Sequence, residues 1–229
     1  DEALAGKRGA VIIMDAQTGQ VLTLLSSPSF DPNLFEAVRI ARLRGETDSE
    51  AQQTLNSYLT DERQLFFNRA VSGNYPPGSV FKVVTALAAL EEGVVDLSTT
   101  VRDEGVLEIG DYQYANWYFT QYGRVEGDIN LSRALIRSND IFFYKTAEWL
   151  GPEKLADYAR LLGLGQPTGI ELGSEASGLV PDPAWKEEQF GERWFLGNTY
   201  HFGIGQGDLL VSPLQMARVF QAICNGLTN

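Results

Sequence analysis

The stretch that decides the fold is Tyr75-Pro-Pro-Gly-Ser-Val-Phe-Lys82, which continues as Val-Val-Thr-Ala-Leu-Ala-Ala-Leu-Glu-Glu and ends at Gly93. The Pro-Pro-Gly turn stops any preceding element, and Gly93 suits the C-terminal cap of a helix. Between these two signals apolar residues fall on every side of a helical projection, which predicts a buried helix over 79–92. The first turn of this helix carries two polar residues, Ser79 and Lys82.

The spacing of Ser79 and Lys82 indicates a chemical role, because positions i and i+3 share one face of a helix. A serine hydroxyl needs a base to become a nucleophile, and a lysine serves as that base when burial lowers its pKa. The helix N-terminus adds backbone N–H groups that can stabilise an oxyanion. The pattern therefore predicts Ser79 as nucleophile and Lys82 as general base. The alternative is a chance Ser-x-x-Lys sequence with a solvated lysine.

A second motif, Ser138-Asn139-Asp140, lies between two predicted helices, over 130–136 and 140–150. A break between helices can expose side chains in a cleft, and the same residues also suit an ordinary N-cap. After a Ser-x-x-Lys motif, such a triplet is typical of penicillin-binding proteins and serine β-lactamases. The pair of motifs therefore favours a serine acyl-transfer enzyme over a simple cap.

Several stretches together resemble the transpeptidase domain of class B penicillin-binding proteins, and in particular its elongation members. They are Ser26-Ser-Pro-Ser-Phe-Asp-Pro-Asn-Leu-Phe35, residues 75–82, Ser138-Asn-Asp-Ile-Phe-Phe-Tyr144 and Gly203-Ile-Gly-Gln-Gly207. The resemblance covers residues 8–226. It implies an α/β fold of the α+β type, shared with serine β-lactamases, in which an antiparallel sheet is flanked by helices.

The resemblance also implies roles for individual residues. Ser79 would attack the carbonyl of a D-Ala-D-Ala stem peptide of peptidoglycan, Lys82 would act as general base, and Ser138 would relay the proton to the leaving group. Asp140 completes the catalytic set. The implied substrate-binding residues are Asn139, Gly205 and Gln206. No cofactor and no metal ion are expected.

Two departures from the family pattern stand out. The third position of the second motif is usually Asn, whereas here it is Asp140, a carboxylate that favours the charged form of the lysine and so opposes its role as base. The family's third motif, Lys-Ser/Thr-Gly on a strand, does not occur in the sequence. We therefore expect a single transpeptidase domain over 1–229, truncated at the C-terminus and without the last strands of its sheet.

Within that domain, three local predictions concern the connections. Apolar runs over 9–15 and 20–26 predict an opening β-hairpin whose strands are covered on both faces. The charged region 36–70 predicts a helical excursion on the surface. The sequence Gly169-Ile-Glu-Leu-Gly173 predicts a brief strand.

Composition excludes several function classes. The 229 residues carry 30 acidic and 18 basic side chains, a net charge of -12, which disfavours nucleic-acid binding. One cysteine, Cys224, excludes an internal disulfide and a multi-cysteine zinc site, and is expected to be a buried thiol. One histidine, His201, is expected at a structural or rim position. No apolar run is long enough for a membrane span.

The resemblance finally implies ligands, partners and location. The ligands are peptidoglycan stem peptides and β-lactam antibiotics, and the partners are a glycosyltransferase and proteins of the elongation complex. The location is the extracytoplasmic (periplasmic or outer) face of the bacterial cytoplasmic membrane, with the anchor outside this sequence. Two alternatives stay open: a penicillin-hydrolysing or D-Ala-carboxypeptidase enzyme of the same fold, and a non-catalytic penicillin-sensing module.

Overall fold

The computed structural model of the chain describes Leu4 and residues 6–45 and 49–226. These residues group into two units. The hairpin unit contains the described residues of 1–73, 168–176 and 212–229, and the helical unit contains residues 74–167 and 177–211. Both sequence motifs lie in the helical unit. The expectation of one domain over 1–229 stays a prediction.

The hairpin unit begins with the predicted antiparallel pair, β1 (Gly9–Met14) and β2 (Val21–Ser27). The Asp15 carboxylate accepts the backbone N–H of Thr18 at 2.7 Å, so a side chain closes the turn between the strands. The expectation that both faces are covered is wrong, because Ile13 is 50% exposed. Successive side chains alternate between the two faces of a strand, and here only one face carries the core.

Three α-helices follow in the part of the hairpin unit that the structure describes. They are α1 (Asn33–Leu43), α2 (Ser49–Leu59) and, after the helical unit, α10 (Pro213–Cys224). The first two pack against each other, α2 inside the predicted 36–70 excursion and α1 beginning just before it, and α10 packs against β1. Cys224 is exposed at the last turn of α10, so the expectation of a buried thiol is wrong.

The predicted strand at 169–173 is also wrong, because this segment is a loop that begins with backbone N–H groups bound by a side chain. The Glu175 carboxylate accepts the backbone N–H groups of Thr168 at 2.7 Å and of Gly169 at 3.1 Å. The segment therefore folds as a loop around that carboxylate.

The helical unit opens with a 3-10 turn (Gly78–Phe81) that continues directly into α3 (Lys82–Glu91). The predicted helix over 79–92 is thus a tight first turn followed by a regular helix. The remaining elements of this unit, in chain order, are β3 (Thr100–Asp103), β4 (Val106–Ile109), β5 (Tyr112–Ala115), α4 (Trp117–Tyr122), β6 (Gly127–Asn130), α5 (Leu131–Arg137), α6 (Asp140–Leu150), α7 (Pro152–Leu161), α8 (Pro183–Phe190) and α9 (Leu196–Gly203).

The core of the helical unit centres on α6. Its Phe142 and Phe143 are fully buried, and α6 packs against both α3 and α9. Two antiparallel strand pairs, β3–β6 and β4–β5, lie in the same unit. The expected α+β class with antiparallel strands is therefore confirmed. Among the described residues, no helix combines the length and apolar character needed to cross a membrane.

Candidate active site

Ser79 lies in the second position of the 3-10 turn, where its side chain is exposed. In a 3-10 helix, side chains three residues apart eclipse one another, so the turn brings Ser79 to the same side as Lys82. The turn is tethered at its start because the Gly78 N–H donates to the Gly205 carbonyl at 2.7 Å. The exposed hydroxyl is thus attached to a fixed backbone.

Gly205 contributes through its backbone. It is buried with φ at +75°, and an added β-carbon would lie 2.2 Å from the Gly78 carbonyl oxygen and 2.7 Å from the Phe81 β-carbon. Only glycine fits such a close approach in a left-handed conformation. Burial disfavours the predicted contact of Gly205 with a substrate. Its neighbour Gln206 is exposed, which leaves that residue available for such a contact.

Lys82 is the first residue of α3 and only 1% exposed. Its ammonium nitrogen donates to the Asp140 carboxylate at 2.6 Å, to the Ser138 carbonyl at 2.7 Å and to the Ser138 hydroxyl oxygen at 3.2 Å. An ammonium has three N–H donors, and three acceptors surround it here. Lys82 therefore joins the two sequence motifs in one buried group.

Burial lowers the pKa of Lys82 below its usual value, and this cause outweighs the attraction of Asp140, which raises it. Removing a lysine from water disfavours its charged form, whereas a nearby carboxylate favours it. The balance moves the lysine toward the neutral form that a general base requires. The predicted burial of the Lys82 side chain agrees with the structure, and its role as general base stays a prediction.

Ser138 stands at the break between α5 and α6. It adopts a left-handed conformation with φ at +51°, an arrangement that is uncommon for residues other than glycine. This conformation ends α5 and lets Asn139 begin the next helix. The chain reversal places both the Ser138 hydroxyl and its carbonyl against Lys82.

Asn139 is completely buried and caps α6. Its side-chain oxygen accepts the N–H of Phe142 at 2.9 Å, and its amide nitrogen donates to Asp103 at 2.7 Å. Both ends of the amide are thus engaged inside the protein. This burial disfavours the direct contact with substrate that the sequence predicts for Asn139.

Asp140 holds two donors at once. One carboxylate oxygen accepts from Lys82, and the other accepts the backbone N–H of Trp117 at 2.9 Å. The backbone N–H of Asp140 donates in turn to the Asn116 side chain at 3.3 Å. The carboxylate at this motif position therefore connects Lys82 to the segment that begins α4.

Asp103 and Asn116 are the contributors that sequence reasoning missed. Both are buried, at 1% and 0% exposure. Their region of the sequence is aromatic and glycine-rich, which indicates loops with short strands. The sequence signal for Asn116 was its position just before a helix, which is typical of an N-cap. In the structure its side chain does not cap that helix. Among the described residues, no group of three or more His, Cys, Asp or Glu side chains is placed to hold a metal ion.

Comparison with known proteins decides the family. The sequence-family model named penicillin binding protein transpeptidase domain matches residues 9–228 of the chain. The chain belongs to the penicillin-binding protein transpeptidase family. The resemblance inferred from the sequence is confirmed at this level.

Among relatives in this family, the peptidoglycan D,D-transpeptidase MrdA of Acinetobacter baumannii is 38% identical over 218 residues, which are 94% of this chain and 30% of that protein. The chain spans about a third of the length of the curated relatives it matches. Solved structures of penicillin-binding proteins are also similar, and two of them illustrate this. PBP2 of Helicobacter pylori, in complex with MreC, gives a TM-score of 0.87 at 32% identity, covering 99% of this chain and 39% of that one.

The second structure is penicillin-binding protein A of Mycobacterium tuberculosis as a ceftriaxone acyl-enzyme. It gives a TM-score of 0.79 at 28% identity, covering 97% of this chain and 46% of that one. The penicillin-binding protein fold thus extends over nearly all of the chain, including both of its sequence motifs.

Proposed function

We propose that this chain is the acyl-transfer domain of a peptidoglycan D,D-transpeptidase. The observation that carries the proposal is the buried Lys82, which contacts Ser138 and Asp140 and follows the exposed Ser79 by one 3-10 turn. The names of the similar proteins, which include peptidoglycan D,D-transpeptidases and a β-lactam acyl-enzyme, support the same activity.

In the proposed reaction, neutral Lys82 removes the hydroxyl proton of Ser79 while the Ser79 oxygen attacks the carbonyl carbon between the two D-Ala residues of a stem peptide. The tetrahedral intermediate collapses, the peptide bond breaks, and the terminal D-Ala leaves as an amine that takes a proton through Ser138. An amine of a second stem peptide then attacks the ester. The new peptide bond forms as the ester C–O bond breaks, and the proton that the attacking amine loses passes through Lys82 to the Ser79 oxygen.

A β-lactam follows the first half of this path. Attack by Ser79 opens the four-membered ring, and the ring nitrogen stays attached to the acyl group, so no leaving group departs. The ester then occupies Ser79 and blocks the second amine. The same geometry that forms the cross-link therefore makes the protein a target of penicillins.

The finer assignments belong to this proposal as well. Similar proteins have been seen with MreC and in a peptidoglycan synthase complex, which supports elongation-complex partners and a glycosyltransferase partner for this chain. A peptidoglycan substrate supports a location on the extracytoplasmic (periplasmic or outer) face of the bacterial cytoplasmic membrane.

Intact-mass measurement after incubation with a penicillin tests the proposal on the protein as the cell makes it. We expect one adduct of the mass of the penicillin, absent in Ser79→Ala. No adduct on the wild-type protein would refute the proposed function. An adduct that disappears within minutes, with hydrolysed penicillin accumulating, would instead establish the hydrolase alternative.

A further inference from the structure

A buried carboxylate outside both sequence motifs organises the site. Asp103 ends β3, is 1% exposed, and accepts four amide N–H groups. One oxygen accepts from the Gly105 backbone at 2.7 Å, and the other accepts from the Asn116 side chain at 2.7 Å, the Asn139 side chain at 2.7 Å and the Glu126 backbone at 3.2 Å. An ionised carboxylate accepts and never donates, so each of these four groups must present an N–H to it.

This requirement fixes the orientation of two side-chain amides. An asparagine has an oxygen at one end and an NH₂ group at the other, and the two ends are nearly the same size. Because the NH₂ groups of Asn116 and Asn139 face Asp103, their oxygens face the opposite way. Those oxygens accept the backbone N–H groups of Asp140 at 3.3 Å and Phe142 at 2.9 Å.

The two oriented amides hold the Ser138–Asp140 segment from two sides. Asn139 lies inside the segment and caps the helix that follows it, and Asn116 accepts from the backbone of Asp140. The held segment carries the three acceptors of Lys82. A chain of hydrogen bonds therefore runs from Asp103 through two amides to the acceptors that surround the lysine.

The Asp103 carboxylate also joins separate parts of the chain. Its partners Asn116, Glu126 and Asn139 are 13, 23 and 36 residues away in sequence. Glu126 extends the anchorage, because its own carboxylate accepts from Arg137 at 2.6 Å, directly before Ser138. Both sides of the Ser138–Asp140 segment are thus tied to the end of β3.

We propose that Asp103 is a positioning residue for serine acylation, which orients Asn116 and Asn139 so that the Ser138–Asp140 segment presents its acceptors to Lys82. Asp103 acts through these residues and does not contact the substrate itself. The inference rests on the proposed function, because acylation of Ser79 is the reaction that is positioned.

The test compares acylation by a fluorescent penicillin in the wild-type protein and in Asp103→Asn. An asparagine at 103 has one acceptor oxygen and one NH₂ group, so it cannot accept from all four donors. We expect the acylation rate constant to fall about 10- to 100-fold, while the dissociation constant of the non-covalent complex changes less than about threefold. Rates are normalised to the folded fraction, determined from thermal unfolding.

A matched control is Asp96→Asn. The Asp96 carboxylate also accepts backbone N–H groups, those of Ser98 and Thr99, in the same unit but at an exposed turn. We expect its acylation rate constant to equal that of the wild-type protein. An equal loss in both variants would overturn the positioning role of Asp103.

A second variant keeps the inference testable if Asp103→Asn does not fold. Asn116→Ala removes one of the two oriented amides and leaves the Asp103–Asn139 bond, so an intermediate loss of the acylation rate constant is expected. Acylation at the wild-type rate in either folded variant would overturn the inference and leave the proposed function intact. Absence of any adduct on the wild-type protein would instead refute the proposed function.

Discussion

The ammonium of Lys82 and the carboxylate of Asp140 lie 2.6 Å apart, with 2% and 12% of their side chains exposed. Two opposite influences meet in this pair. Burial disfavours the charged lysine, and the carboxylate favours it. The two influences together lower the pKa of Lys82, so burial has the larger effect. Acylation should therefore depend on pH through this pair.

We expect the acylation rate constant of the wild-type protein to rise with pH as Lys82 loses its proton, at a pH below the usual lysine value of 10.5. In Asp140→Asn the attraction that raises the pKa of Lys82 is gone, so the rise should move to lower pH. Stopped-flow measurements with a fluorescent penicillin over roughly pH 5 to pH 10 would locate the rise in each protein. The exposed Asp128 is a suitable control, since Asp128→Asn should leave the profile unchanged. A rise that stays in place in Asp140→Asn would contradict the prediction.

Gly205→Ala should damage both the fold and the reactivity of Ser79. The new β-carbon would lie 2.2 Å from the Gly78 carbonyl oxygen, in a left-handed backbone conformation. Overpacking and the unfavourable φ together predict a loss of about 2–4 kcal/mol in the free energy of unfolding. Chemical denaturation followed by circular dichroism gives this value, and penicillin labelling of the folded fraction gives the loss of reactivity.

The control for this substitution is Gly123→Ala. Gly123 has a similar φ of +62°, but an added β-carbon meets nothing within 4 Å. Gly123→Ala should lower the free energy of unfolding by about 1–2 kcal/mol and leave penicillin labelling of the folded protein unchanged. Equal losses at positions 123 and 205 would show that the close approach to Gly78 is unimportant.

Thr85→Val tests the attachment of α3 to α9. The buried Thr85 hydroxyl donates to the Gly203 carbonyl at 2.8 Å, at the end of α9, where carbonyl groups lack partners within the helix. Valine has the same shape and leaves that carbonyl unsatisfied, so we expect a loss of about 1–3 kcal/mol in the free energy of unfolding.

Thr146→Val provides the comparison for Thr85→Val. Thr146 is equally buried, but its hydroxyl donates to the Phe142 carbonyl within α6, which keeps its helical partner. The expected loss is below about 1 kcal/mol, within the range for a typical hydrogen bond. Thermal unfolding of both variants would measure the difference, and a larger loss in Thr146→Val would refute the argument.

Glu126→Gln should make the free energy of unfolding less dependent on pH in the acid range. Although burial raises the pKa of Glu126, hydrogen bonds and charge attraction from Arg137 and Arg133 lower it overall below 4.5. A lowered carboxyl pKa gives stability that is present above the unfolded pKa and is lost as pH falls through the folded one. At about pH 7 the free energy of unfolding of the variant should be about 1–3 kcal/mol lower than that of the wild type. This difference should shrink as the solution is acidified.

Urea titrations at neutral and acid pH would measure this difference. Glu104→Gln is the matched control, because Glu104 pairs with Arg102 at the surface with 72% of its side chain exposed. Exposed pairs contribute little, so no difference is expected there. A stability difference in Glu126→Gln that grows in acid would contradict the assignment.

The sequence predicted those features that local patterns determine. The helix expected over 140–150 is α6 (Asp140–Leu150), because a capping Asn139, an apolar run and Gly151 all lie next to one another in the chain. The pairing of Lys82 with the second motif followed from the family resemblance. Asp103 and Asn116 escaped prediction because their roles depend on contacts with residues distant in sequence. The wrong strand at 169–173 has a local cause instead, since the nearby Glu175 carboxylate accepts the backbone N–H groups of Gly169 and of the preceding Thr168.

The contact between Gly78 and Gly205 limits which residues position 205 can accept. Every amino acid other than glycine carries a β-carbon, so any missense mutation at codon 205 brings an atom into the space occupied by the Gly78 carbonyl. Under the proposed function, such a mutation would disturb the turn that carries Ser79 for penicillin and for the stem peptide alike. Under the same proposal, position 205 therefore offers no route to penicillin resistance that would spare cross-linking.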